Sequence, residues 1–287
     1  MEIPFTKMHG LGNSYIFLDL FHMDLEEGLL SKLAIDVADV NTGIGSDGLI
    51  LIHPSTTADV GMRIFNKDGS EGKNCGNGLR CVAKYAYENQ LVDQKTFQIE
   101  TKAGNVTAEV QGDPNYVEEV TVDMGPPILE RSKIPMVGKN DESVIAEAFE
   151  LDERRLQVTA VSMGNPHAVF FVEDINEAPL YELGPIVTND DRFPEGVNVE
   201  FVEVVSNKEI HFRVWERGSG VTQACGTGAC AAVVAATLNG YVTRGQSVVV
   251  HLSGGDLTIT WAEDGTVWMT GSAVTTCTGK FFWNQQS

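Results

Sequence analysis

The chain has 287 residues, 43% of them hydrophobic, which suffices for one large domain or for two domains of about 100–200 residues each. Its formal net charge of −20, from 20 basic and 40 acidic side chains, argues against nucleic acid and anionic membranes as partners. The first residues contain no apolar run of signal-peptide length, and the five cysteines then predict reduced thiols in the cytoplasm.

The first half of the chain reads as short strands with two helices. One helix is expected over 25–40, and a second begins after Cys75, where apolar residues recur at the helical spacing i, i+3, i+4 and i+7. Strands are predicted over 5–20 (broken by a glycine-rich turn), 49–52, 62–65, 98–110 (a hairpin around Gly104) and 120–124. The sequence Gly125-Pro126-Pro127 marks a domain boundary.

The second half repeats this pattern. A helix is expected over 226–238, ended by Asn239-Gly240, and it is apolar on every face, which is typical of a helix surrounded by protein. Its longest strongly apolar run, 229–236, is far too short to span a membrane. Strands are predicted over 160–163, 168–172, 199–205 and 210–216, in a hairpin around Gly254-Gly255, and over 267–270.

Each half contains one Cys-Gly-x-Gly motif with matched surroundings. An arginine lies twelve residues before Cys75 and before Cys225, an aromatic residue ten before, and an asparagine fourteen after. The period is near 150 residues, so the chain is a duplication of a whole domain. We expect an N-terminal lobe of residues 1–127 with the tail 272–287, and a C-terminal lobe of residues 128–271.

The position of each cysteine before a helix suggests its chemistry. Unpaired N–H groups and the positive end of the helix dipole lie there, and they are expected to lower the thiol pKa toward neutrality. The same N–H groups bind carboxylates, and glycines let the backbone approach a ligand closely. Two such thiols suit a reaction in which one removes a proton from a carbon and the other returns a proton to the opposite face. This scheme requires no electron-sink cofactor.

Other motifs are weaker. Cys81, Cys230 and Cys277 are interpreted as structural, because none stands at a repeated helix start. No metal is expected, since the cysteine spacings of six (75 to 81) and five (225 to 230) miss the close pairs of zinc sites. The G-x-G-x-x-G match at 43–48 precedes a strand, and a looser match at 226–231 lacks the acidic residue about twenty positions on, so dinucleotide binding is not favoured.

Four strings together resemble the diaminopimelate epimerase family, and the resemblance runs from Phe5 to about Gly271. They are 7–13 (KMHGLGN), 74–78 (NCGNG), 162–167 (SMGNPH), and Glu216-Arg217-Gly218 leading to 225–228 (CGTG). The resemblance implies an α/β (α+β) fold of two pseudo-symmetric lobes. Each lobe would be a strongly curved mixed sheet wrapped around a central helix, with the active site in the cleft between the lobes.

The resemblance also implies an activity. Members convert LL-2,6-diaminopimelate to the meso isomer for lysine and peptidoglycan synthesis, without pyridoxal phosphate, so no cofactor is implied. A cytoplasmic homodimer with a small amino-acid substrate, and with neither nucleic acid nor membrane as partner, is the further expectation. Its implied catalytic residues are Cys75, Cys225, His167 and Glu216, and its implied substrate contacts are Asn13, Asn66, Gly76, Asn77, Asn165, Asn198, Glu216, Arg217, Gly226 and Thr227.

One departure from the family pattern and two other functions stay open. Many members carry a glutamine where this chain has Ser46-Asp47-Gly48, so the resemblance implies that one amide contact to the distal end of the substrate is lost. A proline or hydroxyproline racemase-like activity also uses a thiol pair, although Glu216-Arg217 and the asparagines favour a longer substrate with two amino-acid ends. A redox or ligand-binding module without catalysis would show no α-proton exchange.

Overall fold

The computed structural model describes residues 1–73, 75–138, 142–151 and 154–284, so Asn74 of the first cysteine motif lies outside the described residues. The chain divides into two compact units. The first unit comprises Met1–Val122 and Gly271–Ser287, and the second comprises Asp123–Thr270.

The first unit is a mixed sheet with two α-helices. Its strands lie in the order β18-β1-β2-β3-β4-β6-β7-β8, with the short β5 paired to β4. Only the pairs β2–β3 and β4–β6 within this series are parallel, and their crossovers carry α1 and α2. The elements are β1 (Glu2–Gly10), β2 (Asn13–Asp19), α1 (Leu30–Ala38), β3 (Gly48–His53), β4 (Val60–Asn66), β5 (Glu71–Gly72), α2 (Gly76–Glu88), β6 (Thr96–Thr101), β7 (Gly104–Asp113), β8 (Tyr116–Asp123) and β18 (Val274–Phe282).

The second unit has the same succession of strands. The order is β9-β10-β11-β12-β13-β15-β16-β17, with β14 on β13, and the parallel pairs are β11–β12 and β13–β15, joined through α3 and α4. This agreement in order, direction and helix placement shows that the duplication read from the sequence is a duplication of fold. The elements are β9 (Glu147–Leu151), β10 (Arg154–Ser162), β11 (Pro166–Val172), α3 (Leu180–Thr188), β12 (Asn198–Ser206), β13 (Glu209–Glu216), β14 (Gly220–Val221), α4 (Gly226–Leu238), β15 (Ser247–Leu252), β16 (Gly255–Trp261) and β17 (Val267–Gly271).

In each unit the sheet separates two helices. Leu49 and Leu51 of β3 belong to the core cluster that includes Leu33 of α1. Because neighbouring strand residues point to opposite faces, Ile50 points toward α2. Its Cδ1 lies 2.7 Å from the point where a Cβ would stand if Gly78 had a side chain. The sheet therefore holds the N-terminus of α2 against its second face.

The second unit repeats this arrangement. Val199 and Phe201 of β12 pack in the cluster that contains Leu183 of α3. The intervening Glu200 points toward α4, with its Oε1 3.1 Å from the position of a Cβ on Gly228. A carboxylate therefore occupies the second unit where the first has the apolar Ile50.

The helices α2 and α4 were both predicted, and the structure confirms them. Each has 13 residues, a cysteine as N-cap and an asparagine, Asn89 or Asn239, as C-cap. In α4 every residue from Gly228 to Ala236 is buried, as its uniformly apolar sequence indicates. Among the described residues, no helix is both long and apolar enough to cross a bilayer.

Five of the elements named above were not predicted: α3, β9, β18 and the two-residue strands β5 and β14. Helix α3 contains Pro185, a residue that usually signals the end of a helix, but α3 packs its buried residues Leu180, Leu183 and Val187 into the core. Strands β9 and β18 were also missed. Strand β18 is mostly exposed and has no clear alternation of buried residues, so its position follows from pairing with β1 and not from its own pattern.

Candidate active site

Cys75 lies at the N-cap of α2 in an extended backbone conformation, as its motif predicted. The N–H of Gly78 donates to its Sγ at 3.4 Å, so the sulfur accepts the hydrogen bond that caps the N-terminus of the helix. The Sγ also lies 3.8 Å from the side-chain oxygen of Asn13 and 3.8 Å from the hydroxyl of Tyr15. The thiol is therefore held by polar groups of β2 and α2.

A hydrogen-bond network fixes these polar groups, and its members Asn77 and Arg80 are buried. Asn77 donates to the side-chain oxygen of Asn13 (3.1 Å), and a terminal nitrogen of Arg80 donates to Asn77 (2.9 Å). Arg80 is fully buried, and its Nε donates to the carbonyl of Ser272 (3.2 Å). On its other side Asn13 donates to Asp47 (2.9 Å). A cation in the first turns of α2 thus orients the amides beside Cys75.

Cys225 occupies the same position at the start of α4. It is 5% exposed, it is the N-cap, and it accepts the N–H of Gly228 at 3.4 Å. Gly226 and Thr227 follow in the first turn, and the Thr227 hydroxyl lies 3.6 Å from Sγ. The two thiols therefore make the same N-cap hydrogen bond.

The surroundings of Cys225 are acidic. His167 is fully buried, with Nδ1 2.6 Å from Oε1 of Glu200 and Nε2 3.0 Å from the side-chain oxygen of Asn165. Asn165 in turn donates to the Thr227 hydroxyl at 3.3 Å. The ring of His167 is held through both nitrogens, and a polar chain leads from Glu200 to the hydroxyl beside Cys225.

The remaining predicted residues lie at strand ends. Asn66 ends β4 and donates to Ser70 (3.0 Å), and Glu216 ends β13 and accepts the hydroxyl of Thr222. Asn198 accepts the N–H of Arg217 (2.9 Å) and donates to the carbonyl of Pro166 (2.9 Å). Asn198 therefore fixes the backbone from which the exposed Arg217 side chain extends.

A cavity of about 560 Å³ adjoins Arg217 in the second unit. The guanidinium donates to the carbonyl of Glu195 at 2.6 Å, which keeps it at the cavity wall. Over the described ranges, no group of three or more His, Cys, Asp or Glu side chains is placed to hold a metal ion. The cavity is lined by Thr188, Glu195, Gly196, Trp215, Arg217 and Gly218, among others.

Comparison with known proteins identifies the family. A sequence profile described as "Diaminopimelate epimerase" matches residues 5–130 and 159–276. The chain belongs to the diaminopimelate epimerase family. The resemblance stated above is confirmed, and so is the enzyme class, isomerase.

Curated relatives support the assignment to diaminopimelate epimerases over the full length. The chain is similar to the diaminopimelate epimerase of Oceanobacillus iheyensis, with 64% identity over 100% of both chains. It is 66% identical to that of Geobacillus thermodenitrificans over 97% of this chain and 96% of the relative. It is 61% identical to that of Bacillus subtilis over 97% and 98% respectively.

Solved structures with low identity share the fold. A hydroxyproline epimerase from Agrobacterium vitis, with bound trans-4-hydroxy-L-proline, superposes with a TM-score of 0.69 at 15% identity, over 97% of this chain and 90% of that chain. A phenazine biosynthesis protein of the PhzF family from Bacillus anthracis gives a TM-score of 0.69 at 17% identity, over 98% and 99%. The predicted fold class, mixed α/β in two related lobes, is confirmed.

One prediction about the site of this epimerase family member is wrong. Burial raises the pKa of the Cys75 thiol above its ordinary value, although the Gly78 N–H, the Tyr15 hydroxyl and the Arg80 charge act in the opposite direction. Burial also raises the pKa of Cys225 strongly, with further increases from the charges of Glu216 and Glu200. Loss of hydration thus outweighs the helix N-terminus, because a thiolate loses more solvation on burial than the helix-terminal N–H groups return.

Sequence reasoning missed four residues of the two networks: Tyr15, Asp47, Arg80 and Glu200. Two of them carried a signal. Glu200 stands between the apolar residues Val199 and Phe201, and Arg80 stands between Leu79 and Cys81. A charged residue in such a place requires a buried partner, which marks it for inspection.

Proposed function

We propose that this family member converts LL-2,6-diaminopimelate to the meso isomer with its two cysteine thiols, without a cofactor, in the synthesis of lysine and of peptidoglycan precursors. The observation that carries the proposal is the matched N-cap geometry of Cys75 and Cys225 at the same point of a duplicated fold. A reaction that inverts a stereocentre needs one acid and one base acting from opposite faces of a carbon, and the duplication supplies one thiol for each.

The proposed proton transfers balance. One cysteine acts as thiolate, forms an S–H bond with the α-proton and leaves the C–H electron pair on the substrate, where it delocalises into the carboxylate. The other cysteine then gives its S–H proton to the opposite face of the carbon and becomes the thiolate. Because burial raises both thiol pKa values, a thiolate formed at either sulfur is a stronger base than an exposed thiolate.

Helix N-termini are the proposed anchor for the reacting carboxylate. The first residues of a helix have N–H groups without an acceptor in the helix, and here these residues are Gly76 in α2 and Gly226 and Thr227 in α4. Such donors stabilise the charge that grows on the carboxylate during proton removal. Asn13, Asn66, Asn77, Asn165 and Asn198 are proposed to bind the polar ends of the substrate, and His167 and Glu216 to act beside the thiols.

Proton exchange in deuterated water tests the function. The proposal expects the wild-type protein to incorporate deuterium at the α-carbon of LL- and meso-diaminopimelate and to interconvert them, as measured by proton NMR. Proline and hydroxyproline should show much slower exchange. Faster exchange of proline would support the racemase-like alternative, and no exchange with any of these amino acids would favour a non-catalytic module.

Arg217 is proposed to bind a substrate carboxylate. In a chain of charge −20, its guanidinium gives a local cation of suitable geometry. We expect Arg217→Met to raise KM for diaminopimelate by about 10- to 150-fold, the equivalent of losing a charged hydrogen bond of about 1.5–3 kcal/mol. Arg155→Met, at an arginine whose side chain is 88% exposed, is the control and should leave KM unchanged. An unchanged KM for Arg217→Met would remove this residue from the binding site.

The cytoplasmic homodimer implied by the family resemblance stays a prediction. Light scattering on the purified protein would give the mass in solution directly. A mass near 31.2 kDa would show a monomer, and twice that value the expected dimer.

A further inference from the structure

The duplicated fold allows the surroundings of the two thiols to be compared position by position. The cysteines are 150 residues apart, and the strand registers agree, since Ile16 pairs with Leu49 in the first unit and Ala168 pairs with Val199 in the second. Each residue beside Cys75 therefore has a counterpart beside Cys225.

The charges at these matched positions differ in a consistent direction. Arg80 of α2 is fully buried, and its counterpart in α4 is the neutral Cys230. Asn66 at the end of β4 corresponds to Glu216 at the end of β13. The first unit thus has a cation near its cysteine that the second unit lacks, and the second unit has an anion that the first unit lacks.

Two further positions also differ between the units. Ile50 of β3 corresponds to Glu200 of β12, and both point at the first turn of the helix that follows the cysteine. Tyr15 corresponds to His167, since each lies one residue before the paired positions of β2 and β11. Tyr15 reaches the thiol itself, whereas His167 is bound to Glu200 and Asn165.

We propose that this broken symmetry makes Cys75 the first of the two thiols to ionise, with Tyr15 as the positioning residue whose hydroxyl donates to the Cys75 thiolate. This inference rests on the proposed function for its role in catalysis. In the free enzyme Cys225 then keeps its proton and is the resting acid, and Cys75 is the resting base.

The groups that face each sulfur are consistent with this order. Around Cys75 they are Tyr15 from β2 and Arg80 and Cys81 from α2, and Asp47 acts on Tyr15 from the loop before β3. Around Cys225 they are Glu216 from β13 and Glu200 from β12, with His167 of β11 bound to Glu200. Burial raises the pKa of both thiols, but the nearby charges lower that of Cys75 and raise that of Cys225 further.

The burial of Tyr15 makes its hydroxyl a donor at every pH of interest. The residue is 7% exposed, and burial raises its pKa well above 10, with the Cys75 charge adding to the increase. A phenol that stays protonated can donate to a thiolate, and charge-assisted hydrogen bonds of this kind are about twice as strong as neutral ones. Removal of the hydroxyl should therefore affect the ionised form of Cys75 and not its thiol form.

The test is the pH dependence of alkylation by iodoacetamide in the free, full-length enzyme. Only the thiolate reacts, so the rate for each cysteine follows its ionisation, and the midpoint does not depend on access to the sulfur. Trypsin cleavage after Lys73 and Arg80 isolates Cys75 on one peptide, and fragmentation separates Cys225 from Cys230. In the wild-type enzyme the midpoint for Cys75 should lie below that for Cys225.

Two variants should move the midpoints separately. Tyr15→Phe should slow the alkylation of Cys75 near pH 8 by about three- to tenfold, a shift of about half to one pKa unit, and leave Cys225 unchanged. Glu216→Gln should accelerate the alkylation of Cys225 by a similar factor and leave Cys75 unchanged. The controls Tyr85→Phe, whose hydroxyl binds Asp19, and Glu203→Gln, whose carboxylate binds His211, should move neither midpoint.

Two results would refute parts of this proposal. A lower midpoint for Cys225 than for Cys75 in the wild-type enzyme would overturn the proposed order, even if a variant failed to fold. An unmoved Cys75 midpoint in folded Tyr15→Phe would remove Tyr15 from this role. The alkylation measurement uses no substrate. A protein without α-proton exchange would refute the proposed function and could still show the proposed order of ionisation, so the two proposals are tested independently.

Discussion

Replacing Cys75 by alanine is expected to reduce the interconversion of LL- and meso-diaminopimelate by about 10²- to 10⁴-fold, the usual contribution of one general acid or base. Cys225→Ala should have an effect of similar size. The physical reason is that inversion needs a proton removed from one face and another delivered to the opposite face, so one remaining thiol cannot complete the reaction. The loss is measured as the rate of isomer interconversion by chiral chromatography.

Each alanine variant should retain part of the chemistry. The remaining thiol can still exchange the α-proton on its own side, so deuterium should enter one isomer without change of configuration. Cys277→Ala, at an exposed cysteine of β18, is the matched control and should show the wild-type rate. Epimerisation by Cys75→Ala at the wild-type rate would exclude the two-base mechanism.

Arg80→Met is expected to lower the free energy of unfolding by about 2–6 kcal/mol, because one buried and one partly buried acceptor lose a donor and each such loss costs about 1–3 kcal/mol. The acceptors are the side-chain oxygen of Asn77 and the carbonyl of Ser272. The total stability of a protein is about 5–15 kcal/mol, so the change should be visible as a clear shift of the urea midpoint.

A substitution of a surface arginine is the control for the unfolding measurement on Arg80→Met. Arg154 pairs with Glu182, and its side chain is 47% exposed, so Arg154→Met should change the unfolding free energy by less than about 1 kcal/mol. Equal midpoints for the two variants would show that the buried guanidinium does not stabilise the first unit. Arg80→Met should also disturb the orientation of Asn77 and Asn13, so the alkylation profile of Cys75 reports on the same substitution.

The parts of the fold that the sequence predicted are those with a strong local signal. Helices α2 and α4 were predicted to begin after a cysteine, and α4 to end at Asn239; the structure confirms these starts and that end. Helix α3 was missed because Pro185 suggests a helix end, whereas its packing in the core determines the structure. Strand β18 has no pattern of its own and depends on a partner nearly 280 residues away in the chain.

The candidate site was predicted only in part. Side chains that repeat between the two halves were found, because their recurrence distinguishes them from turn formers and core residues. Tyr15, Arg80 and Glu200 break the repeat. In sequence Tyr15 resembles an ordinary aromatic core residue, and only the apolar residues next to Arg80 and Glu200 distinguish them from ordinary surface charges. The direction of the thiol pKa shift was wrong for a related reason: burial depends on residues distant in sequence, whereas the helix N-terminus is visible locally.

The pairing of β18 with β1 affects the order in which the parts of the protein fold. The first unit needs residues from both ends of the chain, and its closure includes the Met1 amino group bound to the carbonyl of Trp283 at 2.8 Å and the Trp283 indole bound to Asp36 at 2.7 Å. The second unit is continuous from Asp123 to Thr270. During translation the second unit is therefore synthesised in full before β18, and the β1 edge of the first unit stays unpaired until β18 has been made.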